Sequence, residues 1–233
     1  MKIADATVLI TGANRGIGLA FAKAFLAHGA RKVYAAARNP SSVSLGGVTP
    51  LRLDVTSPAD VEAAALLAGD VSLVVNNAGI AAFGSFLSDD AEAVLRRHLE
   101  TNVLGVLRVS RAFAPVLARN GGGALLNVAS IASWISSPLL ASYAVSKSAL
   151  WSLSNGLRND LRAHGTQVTT LHMGFVDTDL TQGIEMPKST PEAIVEQALA
   201  ALEAGASEVL ADEMTRQVKR GLGAEPAVYL AAR

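Results

Sequence analysis

The chain of 233 residues contains no cysteine, which excludes disulfides, thiolate nucleophiles and cysteine-ligated metals and sets the expectation of a cytoplasmic protein. It also lacks net charge, since 20 lysines and arginines balance 20 aspartates and glutamates. No overall field favours nucleic acid or an anionic membrane, and neither is expected as a partner. Two long uncharged stretches, residues 71–88 and 120–146, are broken by asparagine, serine, glycine or proline at turn-like positions. That pattern fits buried strands leaving into loops, and no transmembrane segment is expected. The opening "MKIADATVLITGANRGIG" has no apolar core followed by a small-residue cleavage site, so the mature chain is expected to start here. His28, His98, His164 and His172 lack ligand-like spacing, and the Asp177/Asp179 pair reads as turn or cap chemistry. No metal site is expected.

What is present is apolar: half of the residues, with only 17% charged, enough for a sizeable core. Seven short runs rich in valine, leucine and isoleucine (residues 7–10, 32–37, 49–53, 71–75, 124–129, 167–172 and 207–211) alternate with helical stretches. The helices carry their own punctuation, such as Ser57-Pro58 at one start and Gly29 and Gly205 at two ends. Strands that are apolar throughout and separated by helices predict a parallel sheet covered on both faces. The expected class is α/β, a Rossmann-like doubly wound three-layer fold with a seven-stranded parallel sheet. With no repeat and no proline-rich or charged linker, residues 1–233 read as one domain.

In such a sheet ligands bind outside the carboxyl ends of the strands. Residues with no structural reason to be there follow six of the runs: "TGANRGIG" (11–18), Arg38, Asp54, "NNAG" (76–79), Ser130 and "MGFVDTDL" (173–180). Gly12, Gly16 and Gly18 allow a tight turn whose following helix offers backbone amides to a pyrophosphate. Tyr143 and Lys147 are four apart, one above the other if that stretch is helical. Taken alone, that pair reads as a core aromatic with its hydroxyl at the rim and a lysine laying its stem along the helix.

Together, "TGANRGIG", "NNAG", Asn102, Ser130 and "YAVSK" make the chain resemble the short-chain dehydrogenase/reductase family over roughly residues 5–180. Gly105 and Pro115 follow Asn102, and Ser130 precedes Tyr143, at the family's spacings. The resemblance implies that Tyr143 is the acid/base and that Ser130 donates a hydrogen bond to the substrate oxygen. It makes Asn102 a link in a water-mediated proton relay and gives Lys147 two roles, holding the nicotinamide ribose and favouring the phenolate. Lys147 and a cationic nicotinamide are then expected to bring Tyr143 well below its ordinary pKa of about 10. By the same resemblance the cofactor contacts are Gly12, Asn14, Arg15, Gly16, Ile17 and Gly18; Arg38; Asp54 and Val55; Asn76, Ala78 and Gly79; Tyr143 and Lys147; and Gly174, Val176 and Thr178.

Ala37 stands where a carboxylate would bind the ribose 2′-hydroxyl of NAD, and Arg38 follows. Arg15 adds a second cation near the place of a 2′-phosphate, so NADP(H) is expected rather than NAD(H). Met173-Gly174 replaces the family's usual Pro-Gly, which leaves that turn without proline's fixed angle. The expected activity interconverts a ketone or aldehyde and its alcohol by hydride transfer. Ile131, Trp134, Ile135, Leu140 and Phe175, with a short lid over 179–190, predict an apolar substrate pocket. A catalytically silent NADP(H)-binding sensor or scaffold, and a sugar-nucleotide epimerase or dehydratase, are the alternatives. The C-terminal end departs from the family's glycine-rich close, while helices near 89–119 and 142–164 remain able to pair across a two-fold axis. A homo-oligomer, dimer or tetramer, is expected by analogy.

Overall fold

The computed structural model describes residues 1–138 and 140–230; Leu139 and residues 231–233 of the assigned domain lie outside the described part. Each apolar run forms a strand: β1 (Thr7–Thr11), β2 (Lys32–Ala37), β3 (Thr49–Arg52), β4 (Leu73–Asn76), β5 (Gly123–Val128), β6 (Thr166–His172) and β7 (Glu208–Leu210). All pair in parallel, in the order β3-β2-β1-β4-β5-β6-β7. The order reverses between β1 and β4, and a crevice is left there at the carboxyl ends of the strands.

The helices are α1 (Gly16–Ala27), α2 (Pro58–Leu67), α3 (Ala91–Leu99), α4 (Gly105–Arg119), α5 (Ala141–Leu161), α6 (Pro191–Glu203) and α7 (Glu213–Gly221). Successive strand side chains point to opposite faces, so an all-apolar strand needs a core on each side. On β1, Val8 and Ile10 pack with Phe21 and Phe25 of α1 and Leu199 of α6, while Leu9 joins Phe113 of α4 and Leu157 of α5. Helix starts follow local chemistry: Ser57 and Thr190 each accept a hydrogen bond, both 3.2 Å, from the third residue on, with Pro58 and Pro191 at the first helical position.

The helical stretch expected near 89–119 runs from Ala91 to Arg119 but is not α-helical throughout. Between α3 and α4 the chain widens into a π-helical turn, Glu100–Leu104, with Asn102 inside it. Such turns are rare and occur often at functional sites. No helix among the described residues is long and apolar enough to cross a membrane.

Candidate active site

A cavity of about 710 Å³ runs along the carboxyl ends of the central strands. Its wall brings together Gly12, Asn14, Arg15, Gly16 and Ile17, then Arg38, Asp54, Val55, Ala78 and Gly79, and finally Ser130, Tyr143, Lys147, Gly174, Val176 and Thr178. Three residues expected to act at the site, Gly18, Asn76 and Asn102, are not part of that wall, and each has a reason.

Gly12 and Gly16 have positive φ, 67° and 53°, the left-handed region that glycine enters without strain. Gly18 is required for a different reason: a Cβ there would lie 2.2 Å from the carbonyl oxygen of Gly12. It is the point of closest approach between α1 and the turn, behind the amides. Asn76 turns into the core, where its Nδ2 donates to Asn127 Oδ1 at 2.8 Å and Ser110 Oγ at 3.2 Å. Register explains this, since Asn76 pairs directly with Asn127 across β4 and β5. Its neighbour Asn77 lines the cavity instead and donates to the carbonyls of Thr11 at 2.9 Å and Gly12 at 3.2 Å. The Thr11 hydroxyl in turn accepts the amides of Asn77 and Ala78, both at 3.0 Å. Thr11 and Asn77 thus lock the glycine turn to the end of β4.

Asn102 lies buried in the π-helical turn. Its Oδ1 accepts the Ile80 amide at 2.9 Å, and its Nδ2 donates to the Ile80 carbonyl and Ser146 Oγ, both at 3.0 Å. The side chain therefore clamps the loop after β4 to α5, the helix that carries Tyr143 and Lys147. One helical turn places both of those side chains toward Ser130 at the end of β5. Lys147 Nζ donates to the Val128 carbonyl at 2.7 Å and sits 5.5 Å from the centre of the Tyr143 ring. Ser130 is within hydrogen-bonding reach of Tyr143 and accepts the Ala132 amide at 3.1 Å.

The match to known proteins follows this geometry. The family model for short chain dehydrogenases covers residues 6–188. The chain is a member of the short-chain dehydrogenase family. A short chain dehydrogenase from Burkholderia cenocepacia J2315, solved in complex with NADP, superposes with a TM-score of 0.93 at 36% identity, over 97% of this chain and 96% of that one. Galactitol 2-dehydrogenase (L-tagatose-forming) of Cereibacter sphaeroides is 36% identical over 191 residues, 77% of this chain and 75% of that protein. Probable oxidoreductase EphD of Mycobacterium tuberculosis is 37% identical over 205 residues, 82% of this chain, which spans about a third (34%) of that longer protein.

Burial dominates the titration of Tyr143 and Lys147. Although the Tyr143 ring keeps some exposure, its surroundings push the phenol up to about 12, against the opposing Ser130 hydrogen bond. Burial likewise brings Lys147 down to about 8. The lowered tyrosine is expected of Lys147 acting with a bound cationic nicotinamide; in the protein alone Lys147 directs its ammonium at the Val128 carbonyl and Tyr143 stays a neutral phenol. A buried lysine whose folded pKa lies below the ordinary 10.5 penalises folding while charged, and that penalty is relieved as pH rises from about 8. Tyr143 acts oppositely, but only between its ordinary 10 and about 12. Between pH 8 and 10 wild-type protein should therefore gain thermal stability relative to Lys147→Met, by a few degrees of Tm. A Tm difference that stays constant across that window would contradict the buried ammonium.

The serine is braced from behind by residues for which the sequence suggested no such role. His172 Nδ1 donates to the Ser130 carbonyl at 3.0 Å, the ring stacks on Trp134 at 4.1 Å, and Nε2 faces Glu208 at 3.6 Å. Glu208 pairs with Lys219 of α7 at 2.8 Å, and Lys219 lies over Trp134, 4.5 Å from its ring centre. Burial brings His172 down to about 4, so at neutral pH it is an uncharged donor. Trp134, expected in the substrate pocket, is drawn away into this stack, and Ile135 is also absent from the cavity wall, whereas Ile131, Leu140 and Phe175 line it. His98 is equally structural: its Nε2 accepts the Ala82 amide at 3.0 Å and its ring meets Tyr143 edge-on at 6.2 Å. Desolvation lowers its pKa.

At the other end of the cavity the two arginines part company. Arg15 forms an exposed ion pair with Asp179 at 3.2 Å, across the mouth from the glycine turn to the segment after β6. Arg38 stays at the end of β2 beside Asn39 and Ser42, which also line the cavity. Asp54 has a lowered pKa: burial opposes this, but hydrogen bonds from the Thr56 hydroxyl and amide outweigh it, helped by Arg38. No group of three or more His, Cys, Asp or Glu among the described residues is placed to hold a metal ion.

Proposed function

We propose that the protein is an NADP(H)-dependent oxidoreductase that interconverts a ketone or aldehyde and the corresponding alcohol, with Tyr143 as acid/base. The observation that carries this is the meeting of Ser130, Tyr143 and Lys147 in the same cavity wall as the left-handed glycine turn. That turn fits a dinucleotide, since Gly12 and Gly16 leave the amides at the start of α1 free of side chains. When bound, the nicotinamide supplies the hydride in reduction and accepts it in oxidation.

The remaining chemistry belongs to the chain. Tyr143, held as a neutral phenol, gives its proton to the oxygen of the carbonyl as negative charge develops there, and takes it back in the reverse direction. The Ser130 hydroxyl donates to the same oxygen. Lys147, its pKa brought down to about 8, stands 5.5 Å from the ring, placed to replenish that proton and to hold ribose hydroxyls. Asn102 keeps the loop after β4 and α5 in register and contributes to a water-mediated relay.

Three considerations favour NADP(H) over NAD(H): Ala37 in place of an acid, Arg38 at the cavity wall, and the NADP complex of the Burkholderia relative. With Arg15 engaged by Asp179, Arg38 is the principal phosphate ligand. Arg38→Ala should weaken NADPH binding about ten- to a hundredfold, the worth of a hydrogen bond to a charged group, and leave NADH nearly unchanged. Fluorescence titration with both cofactors checks it; equal losses for the two would remove the assignment of NADP(H).

A further inference from the structure

We propose that the substrate is an uncharged carbonyl compound whose non-reacting part is hydrocarbon, held by Ile131, Leu140, Phe175 and Ile184. This rests on the oxidoreductase reading above. All four side chains line the cavity, and three of them are tied to the reacting end by their place in the chain. Ile131 follows Ser130, Leu140 precedes the first turn of α5, and Phe175 lies between the Gly174 and Val176 that also form the wall. A bridge between Gly84 and Leu140 brings exposed Phe83, another lining residue, to the same mouth.

The charged side chains on the cavity wall are Arg15, Arg38, Asp54, Lys147 and Asp179. None is free to receive a polar substrate tail. Arg38 and Asp54 follow β2 and β3, on the far side of β1 from Ser130. Arg15 and Asp179 hold each other, and Lys147, bonded to Val128 through one of its three donors, keeps the others for the ribose and the Tyr143 proton.

Polar groups near the lid are engaged as well. Lys188 donates to the Thr181 carbonyl at 2.8 Å, the Thr181 hydroxyl donates to the Val176 carbonyl, and His98 is fixed on Ala82. A hydroxylated or carboxylated tail would lose water at this wall and find few partners, the Thr101 hydroxyl among them, whereas each buried methylene gains.

The test is the initial rate of NADPH oxidation with straight-chain methyl ketones from butanone to nonanone. A polyhydroxylated ketone and a keto acid of matched length serve as comparators. The expected result is a kcat/KM that climbs about threefold to fourfold per methylene until the pocket is filled. Both polar comparators should be at least about tenfold slower than the ketone of equal length. Phe175→Ala should lower the ratio of long-chain to short-chain kcat/KM, with NADPH binding measured alongside to show that the variant is folded. A flat series, or a polar comparator that outpaces its alkyl match, overturns the substrate assignment and leaves the oxidoreductase intact. Failure of every carbonyl to oxidise NADPH overturns the oxidoreductase reading and this one with it.

Discussion

Replacing Tyr143 by phenylalanine is expected to lower kcat for carbonyl reduction about a thousandfold, within the range of about 10²–10⁴ that a positioned general acid supplies. NADPH affinity should change little, because what is removed is one hydroxyl and not the ring. The aromatic face that meets His98 at 6.2 Å and lies 5.5 Å from Lys147 survives the change. Ser130 keeps its place through the His172 and Ala132 contacts, so the carbonyl oxygen would still receive one hydrogen bond. What disappears is the proton. The pKa pushed up to about 12 means that the wild-type phenol is protonated throughout the neutral range, so reduction never waits for that group to charge. Single-turnover NADPH oxidation in wild type and variant separates this chemical step from cofactor binding. A variant that retains more than a few per cent of the wild-type rate would move the acid to another group, and the buried Lys147 would be the first to examine.

The parts of this site that are local in sequence were legible there. A glycine turn after one apolar run, and a tyrosine and a lysine one helical turn apart, depend on spacing that the backbone preserves. The seven strands and their parallel direction followed from apolar runs separated by helices, and the boundaries shifted by only a residue or two, as in β4, which begins at Leu73. What was not legible depends on register or on distant partners. "NNAG" offers two adjacent asparagines, and only the pairing of Asn76 with Asn127 shows which one enters the core. The π-helical turn around Asn102 has no spacing signature, because one extra residue in a turn leaves the apolar pattern on either side helical. Trp134 groups in the sequence with Ile131, Ile135, Leu140 and Phe175 as a pocket residue; its actual neighbours, His172 and Lys219, arrive from β6 and α7. Arg15 lines the cavity as the glycine turn implies, and only the fold shows that Asp179 also reaches it. In each case a side chain with two plausible destinations was decided by a residue far away in the chain.

Gly18→Ala is expected to be the most damaging single methyl group that can be added to the cofactor half of the cavity. Its Cβ would stand 2.2 Å from the Gly12 carbonyl oxygen, 2.9 Å from the Gly12 carbonyl carbon and 2.6 Å from Asn77 Nδ2. The side-chain amide can swing aside, but the carbonyl belongs to the turn itself, so α1 must lift from β1 or the turn must refold. Either movement displaces the amides offered to the pyrophosphate. Overpacking of this kind costs about 1–3 kcal/mol, which for a chain of this size is a Tm lower by roughly 5 °C. NADPH affinity should fall more than tenfold, about the loss of one charge-assisted hydrogen bond or more. The same substitution at Gly156, on the exposed side of α5 with no atom within 4 Å of an added Cβ, should instead stabilise, by about 0.5–1 kcal/mol, because alanine loses less backbone entropy in a helix. Thermal melts with and without NADPH test the pair together. If Gly18→Ala bound the cofactor normally, the amides of α1 would not be its phosphate site; the clash itself would have been absorbed by a movement that leaves binding untouched, and the glycine turn would be a packing device alone.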